Sequence, residues 1–198
     1  LQPSDIDFIL VATVSGDTIL PSTACHLQRL LGARNAGALD ISAACSGFVY
    51  GLSIADAFIR AGNYKNILLV GSELLSSIVD WKDRGTCILF GDGAGAALLS
   101  RAESKQNSSR VYSTHLYSDG WLADYFIIPG GGSTQPFSQA VLDTKQHYMQ
   151  MKGREIYKVA VRMLADTTVE ALEKNGMKIT DLDWLIPHQA NLRIIEAV

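Results

Sequence analysis

Residues 39–48 read Leu39-Asp40-Ile41-Ser42-Ala43-Ala44-Cys45-Ser46-Gly47-Phe48. They predict a short apolar strand that passes through small residues into an amphipathic helix, because apolar side chains recur at helical spacing after Cys45 and Gly62 stops the pattern. The Cys45 thiol would then lie at a helix N-terminus, where unpaired N–H groups and the helix dipole stabilise a thiolate. Small neighbours leave room for a substrate beside the sulfur. The stretch therefore predicts a nucleophilic cysteine, with a buried structural cysteine as the alternative.

The composition excludes several classes of protein. The 198 residues carry a net charge of −3, so no basic excess points to nucleic acid, and no apolar run is long enough for a membrane span. Three cysteines argue against a disulfide framework and for a reducing compartment, the cytoplasm or a plastid stroma. Cys25 and Cys87 fit core positions, and the histidines and cysteines show no metal-ligand spacing.

The order of predicted elements indicates an α/β fold with a mostly parallel sheet. Strands are predicted over 6–13, 38–42, 66–71, 87–90 and 94–100, with a glycine turn at 91–95, and further strands over 111–116 and 182–186. Helices are predicted over 21–31, after Cys45 and over 155–175, and the polar stretch 103–110 predicts a connecting loop. Asp40 and Glu73 are interpreted as structural carboxylates at strand ends. The chain opens without methionine and stops within a predicted helix, which indicates an internal piece of a longer protein.

Residues 5–10 and 181–186 repeat the same residue types position by position. Each copy precedes a loop and a helix, which suggests a duplicated fold with two related halves. His188 follows the second copy at a strand-to-helix junction, as Cys45 does, and ligands of open α/β sheets bind at that edge. If the halves pair, Cys45 and His188 converge, and a neutral imidazole there donates a hydrogen bond to an oxyanion. The alternative is a histidine that caps a helix or satisfies a core carbonyl.

Four motifs in order carry a family resemblance: residues 43–48, Asp83-Arg84-Gly85-Thr86, residues 90–96 and Pro187-His188-Gln189-Ala190-Asn191. Together they resemble β-ketoacyl-acyl-carrier-protein synthase III. The resemblance implies a thiolase-like, duplicated α-β-α-β-α layered fold, here an internal fragment that lacks parts of both halves. Residues 1–110 would form most of the N-terminal half, and residues 111–198 the first part of the C-terminal half.

The resemblance also implies a reaction without a cofactor. An acyl-CoA primer acylates Cys45, and malonyl-acyl-carrier protein then undergoes decarboxylative condensation with the acyl group, initiating type II fatty-acid synthesis. His188 would stabilise the enolate oxygen. The family's third catalytic residue, an asparagine, is expected beyond Val198. The partners implied are acyl-CoA, the carrier protein and a second copy in a homodimer, with neither nucleic acid nor membrane.

The resemblance assigns the remaining site residues. Arg84, Arg154, Asn191, Leu20 and Phe90 are assigned to the acyl-CoA site, although Arg154 stands where many members have asparagine. Lys158 and Arg193 are assigned to docking of the acidic carrier protein. The Gly91–Gly95 run is not a dinucleotide loop, because a strand rather than a helix is predicted after it.

Three alternatives stay open. A related ketosynthase of secondary metabolism, which primes a polyketide or alkylquinolone pathway, would have the same fold and catalytic residues. A cysteine hydrolase fits the spacing of Cys45 and His188 in papain-type enzymes, but the chain lacks their cysteine motif. A non-catalytic scaffold is the third alternative, and it predicts that Cys45 reacts no faster than Cys25 or Cys87.

Overall fold

All five residues of strand β1, Phe8–Ala12, are buried. In the computed structural model, which describes residues 1–103 and 109–198, this strand lies inside a four-stranded sheet of order β2-β1-β3-β4. The other strands are β2 (Gly37–Ile41), β3 (Asn66–Leu74) and β4 (Asp92–Ser100). Strand β1 pairs in parallel with β2 and β3, whereas β4 runs antiparallel to β3. The predicted α/β class with a mostly parallel sheet is confirmed.

Two helices cover the two faces of this sheet. Helix α1 (Thr23–Leu31) packs on the face that carries Ile9 and Val11. Helix α2 (Gly47–Arg60) packs on the face that carries Phe8 and Leu10. Because alternate residues of β1 face opposite helices, the strand has no solvent side and its sequence is a continuous apolar run.

The described residues form two compact units. The first comprises Leu1–Leu74 and Asp92–Leu116, and the second comprises Leu75–Gly91 and Tyr117–Val198. The second unit holds the short strands β5 (Phe126–Ile127) and β6 (Gln150–Met151) and the helices α3 (Gln139–Asp143), α4 (Gly153–Lys174) and α5 (Leu192–Ala197). The division of the chain at residue 110 into two thiolase-like halves stays a prediction.

Two predictions around the glycine run are wrong. Residues Cys87–Leu89 form a 3₁₀ turn instead of a strand, because local bonds close it: the Cys87 N–H donates to the Asp83 carbonyl and the Leu89 N–H to the Thr86 carbonyl. The predicted glycine turn is instead the start of β4, whose Asp92 pairs with Leu74 of β3. Pairing along all nine residues of β4 supplies the hydrogen bonds that hold these glycines extended.

The predicted strands 111–116 and 182–186 are also wrong, since neither segment is a strand in the structure. A strand needs a neighbour for its backbone groups, and among the residues described none of the six strands pairs with either segment. In the first segment the Thr114 hydroxyl donates to Ser53 Oγ on α2 at 2.9 Å, a side-chain contact rather than a ladder. Residues 104–108, most of the predicted polar connector, lie outside the described residues.

Candidate active site

Cys45 lies in a 3₁₀ turn, Ala44–Ser46, between the end of β2 and the first residue of α2. Ala44 has φ +45°, a left-handed conformation that residues with a Cβ rarely adopt. Gly47 begins the helix directly against β1, where an added Cβ would lie 2.8 Å from Ala12 Cβ. The small residues around Cys45 therefore let the chain turn sharply, and they place the thiol at the carboxyl edge of the parallel strands.

The Cys45 residue is exposed, yet the protein packed around its sulfur raises the pKa of the thiol by desolvation. The hydrogen bond from its own backbone N–H lowers this pKa, and the negative charge of Glu73 raises it again. The predicted position at a helix start is confirmed. The backbone N–H favours the thiolate, as expected at a helix start, but desolvation and the charge of Glu73 outweigh it and raise the pKa of the thiol.

Glu73 lies at the carboxyl end of β3 and holds the segment that follows β1. Its carboxylate accepts the Val14 N–H at 3.0 and 3.2 Å and the hydroxyls of Thr13 and Ser15. From the sequence, Glu73 was interpreted as a structural carboxylate, and the effect of its negative charge on the pKa of Cys45 was not predicted. The available signal was its position two residues beyond the predicted end of a parallel strand, on the same edge as Cys45.

Asp40 is a structural carboxylate, as the sequence indicated. It accepts the backbone N–H groups of Thr23 and Ala24 at 2.7 and 2.8 Å. These are orphan donors in the first turn of α1, where the helix dipole favours a negative charge. Asp40 therefore fixes α1 to β2 and leaves Glu73 as the carboxylate that acts on Cys45.

His188 lies in the second unit, in the irregular segment between residues 182–186 and α5. The residue is exposed, but partial desolvation by its surroundings lowers the pKa of the imidazole. The neutral form is thereby favoured at neutral pH, which is the form that donates one hydrogen bond and accepts another.

Asn191 caps the helix that follows His188. Its side-chain oxygen accepts the Arg193 N–H at 2.9 Å, which satisfies a free donor at the start of α5. The Tyr157 hydroxyl of α4 donates to the Arg193 carbonyl at 3.4 Å, so α4 and α5 pack together. This contact brings together the helices that carry Lys158 and Arg193, both exposed. Arg154, also exposed, lies one turn before Lys158 on α4.

Arg84 is exposed on a turn that its neighbours hold firmly. The Asp83 carboxylate accepts the Gly85 N–H at 3.0 Å, and the Asp80 carboxylate accepts the Lys82 N–H at 2.9 Å. Asp80 also forms an ion pair of 2.6 Å with Lys145, which holds the pKa of Asp80 below its ordinary value. The sequence interpretation missed this ion pair, because 65 residues separate its partners.

Leu20 and Phe90 have different surroundings. The Leu20 side chain is 84% exposed at the end of the loop before α1. Phe90 stacks on Phe126 with ring centroids 5.4 Å apart, and it packs against the core of the second unit around Val79 and Met149. These contacts give Phe90 a packing role in the described structure, and the assignment of both residues to the acyl-CoA site stays a prediction.

Cys45 and His188 belong to different compact units, so their predicted convergence stays a prediction. Within residues 1–103 and 109–198, no group of three or more histidine, cysteine or acidic residues is arranged to hold a metal ion. None of the helices in the described part of the chain is long and apolar enough to cross a bilayer.

Comparison with known proteins gives a consistent answer. The chain is 50% identical over 197 residues to the β-ketoacyl-acyl-carrier-protein synthase III of Caldanaerobacter subterraneus subsp. tengcongensis, and it spans 59% of that protein's length. The crystal structure of 3-oxoacyl-(acyl-carrier-protein) synthase III from Aquifex aeolicus matches all of this chain and 58% of its own, with a TM-score of 0.87 and 45% identity. The priming β-ketosynthase of the R1128 polyketide pathway matches with a TM-score of 0.83 and 30% identity, covering all of this chain and 57% of its own.

Two models of one family match separate parts of the chain. The model described as 3-oxoacyl-(acyl-carrier-protein) synthase III matches residues 39–120, and the model of its C-terminal part matches residues 172–198. The first match includes Cys45 and Arg84, and the second includes His188. These matches cover more than half of the chain, which therefore belongs to the 3-oxoacyl-(acyl-carrier-protein) synthase III family and has its thiolase-like α/β fold.

Proposed function

We propose that this protein catalyses the decarboxylative condensation of an acyl-CoA primer with malonyl-acyl-carrier protein, the step that initiates type II fatty-acid synthesis. The proposal depends on one observation: Cys45 lies in the tight turn directly before α2, where Ala44 has a positive φ. The chain around it is 50% identical to a curated synthase of this kind. The priming enzyme of a polyketide pathway matches at 30% identity, so priming in secondary metabolism is the alternative function.

In the first step Cys45 acts as the nucleophile. The thiol gives up its proton, its sulfur attacks the thioester carbonyl carbon, and the carbon–sulfur bond to CoA breaks. CoA leaves as a thiol that carries the proton. The backbone N–H of Cys45 lies at the start of α2, where such groups stabilise the oxyanion of the tetrahedral intermediate.

In the second step the terminal carbon–carbon bond of the malonyl group breaks and CO₂ leaves. The electron pair remains as an enolate, whose carbon attacks the acyl-Cys45 carbonyl carbon. The carbon–sulfur bond then breaks, and the Cys45 thiolate recovers a proton from solvent. A neutral His188 donates a hydrogen bond to the enolate oxygen, and its lowered pKa supports this role because the group stays neutral at neutral pH.

The sequence around Cys45 argues against a papain-type hydrolase, because it lacks the cysteine motif of that family.

The remaining assignments rest on the family resemblance. The CoA moiety is contacted by Arg84, Arg154 and Asn191. The two arginines suit this role because a guanidinium recognises phosphate through paired hydrogen bonds. Lys158 and Arg193 are exposed on adjoining helices, and they steer the acidic carrier protein. Leu20 and Phe90 border the acyl group.

The reaction takes acyl-CoA and malonyl-acyl-carrier protein as substrates and needs no cofactor. The protein acts as a homodimer in a cytoplasmic compartment. The three free cysteines support a reducing environment, since a thiol nucleophile must stay reduced to act.

Intact-mass analysis of the complete gene product with a panel of acyl-CoAs tests the proposal. We expect a mass increase of one acyl group, lost in Cys45→Ala and retained in the matched control Cys25→Ala. No increase with any acyl-CoA would overturn the proposal. Addition of malonyl-acyl-carrier protein should then release the mass as a β-ketoacyl product in wild type but not in His188→Ala. Release of free fatty acid without the malonyl substrate would instead identify a hydrolase.

A further inference from the structure

The segment that follows β1 is held against the end of β3 by a closed hydrogen-bond network around one carboxylate. Glu73 accepts the Val14 N–H and the hydroxyls of Thr13 and Ser15. The Ser15 hydroxyl oxygen in turn accepts the Leu74 N–H at 2.7 Å, and Thr13 Oγ1 accepts the Ser15 N–H at 3.1 Å. With so many donors directed at it, the Glu73 carboxylate is held in one place.

This network adjoins the turn that carries Cys45. Strands β1, β2 and β3 run in parallel, so Ala12, Ile41 and Gly71 lie side by side in register. The Thr13 N–H donates to the Ile41 carbonyl at 3.1 Å, and Gly47 at the start of α2 lies against Ala12. Cys45 and Glu73 therefore leave the same edge of the sheet, two strands apart, with the Thr13–Ser15 segment between them.

We propose that Glu73 is a positioning residue for Cys45: it anchors the Thr13–Ser15 segment at the sheet edge from which Cys45 also leaves, and it places a carboxylate at that edge whose charge tunes the reactivity of the thiol. The inference deepens the proposed function, on which its catalytic meaning rests. Desolvation raises the pKa of the Cys45 thiol, and the negative charge of Glu73 raises it further. Both effects favour the protonated thiol, which is a weak nucleophile that resists oxidation and adventitious alkylation.

The other ionisable groups near this edge do not account for the effect. Strand β1 carries no charged residue, and the Asp40 carboxylate on β2 is engaged by the N-terminus of α1. Glu73 is the charged group that acts on the Cys45 thiol, and its effect has the direction expected of a like charge. The remaining ionisable residues on the elements around this edge are Tyr50, Asp56 and Arg60 on α2, Asp92 on β4, and Cys25, His26 and Arg29 on α1.

The test is the pH profile of Cys45 alkylation by iodoacetamide in the complete gene product, followed by peptide mass. Glu73→Gln keeps the shape and one acceptor oxygen but removes the charge, so the midpoint should move to lower pH. Alkylation at neutral pH should become roughly threefold to tenfold faster, while the plateau rate at high pH stays unchanged. Glu73→Asp keeps the charge and should restore the wild-type midpoint.

Glu103→Gln is the matched control. It removes the same charge from the same unit, but Glu103 pairs with Lys65 at 3.8 Å, next to the opposite end of β3, so the profile should not move. If Glu73→Gln does not fold, Ser15→Ala is the second test. It removes one hydrogen-bond donor from the Glu73 carboxylate, so the negative charge is less compensated and the midpoint of the Cys45 alkylation profile should move to higher pH.

An unchanged midpoint in Glu73→Gln, or a raised plateau that reports only better access to the sulfur, would overturn the inference. Failure of acyl-CoA to acylate Cys45 would overturn the proposed function instead, because alkylation needs no substrate.

Discussion

Gly47→Ala should damage both the stability of the first unit and the reactivity of Cys45. The added Cβ would lie 2.8 Å from Ala12 Cβ, whereas ordinary contacts between carbon atoms are about 3.5–4.0 Å. The Ala12 methyl group cannot rotate away, so α2 and β1 must separate by about 1 Å. Overpacking of this kind destabilises by about 1–3 kcal/mol, which lowers the melting temperature by about 5 °C in a chain of this size.

The same displacement moves the turn that carries Cys45, which lies two residues before Gly47. A shift of about 1 Å in a reacting group lowers the rate up to about 100-fold. Thermal unfolding and the rate of Cys45 acylation by acyl-CoA measure the two effects. Gly153→Ala is the matched control: Gly153 is the first residue of α4, and its added Cβ would meet only the Met151 methyl group, at 3.6 Å.

Both variants gain the same helix propensity at the same helix position, so the difference between them isolates the contact with Ala12. Equal melting temperatures for the two variants, together with wild-type acylation by Gly47→Ala, would refute the reasoning.

Lys145→Met should loosen the turn that carries Arg84, because it removes the ion pair with Asp80. The pKa of Asp80 is lowered in the folded protein, so the ion pair stabilises the turn above the ordinary aspartate pKa and is lost as the pH falls through the lowered value. Amide exchange at Gly85 should therefore be faster than wild type at neutral pH and equal to it in strong acid; equal exchange at neutral pH would contradict this. Lys158→Glu should raise KM for malonyl-acyl-carrier protein about tenfold and leave acylation by acyl-CoA unchanged. Lys174→Glu, at the far end of α4, is the control, and an equal effect there would exclude local docking.

The parts of the fold that were predicted best are those that depend on residues close together in the sequence. Helix α1 ends where Gly32 adopts φ +72°, a conformation that glycine reaches without strain. Helix α4 ends at Lys174 and is followed by Gly176 at φ +65°. The position of Cys45 at the start of α2 also follows from local sequence, since small residues and an apolar repeat suffice to predict it.

The electrostatics of the thiol could not be predicted in the same way. The helix-start N–H is visible in the sequence, but desolvation and the charge of Glu73 depend on residues that only the sheet brings near Cys45. The ion pair between Asp80 and Lys145 is of the same kind, since its partners lie far apart in the chain. Such effects require the register of the strands and the path of the loops, which local patterns do not contain.

Residues 5–10 and 181–186 have similar sequences, so a comparison of their structures shows which features depend on local sequence and which depend on distant residues. Both copies begin at the end of the same 3₁₀ turn: the Gln2 N–H donates to the Asp5 carboxylate at 2.7 Å, and the Lys178 N–H donates to the Asp181 carboxylate at 2.9 Å. Only the first copy continues as a strand, because β2 and β3 lie on either side of it. A turn closes through bonds within four residues, whereas a strand needs a partner supplied by a distant part of the chain. The same short sequence therefore determines the turn in both units, and the strand only where a neighbouring strand is present.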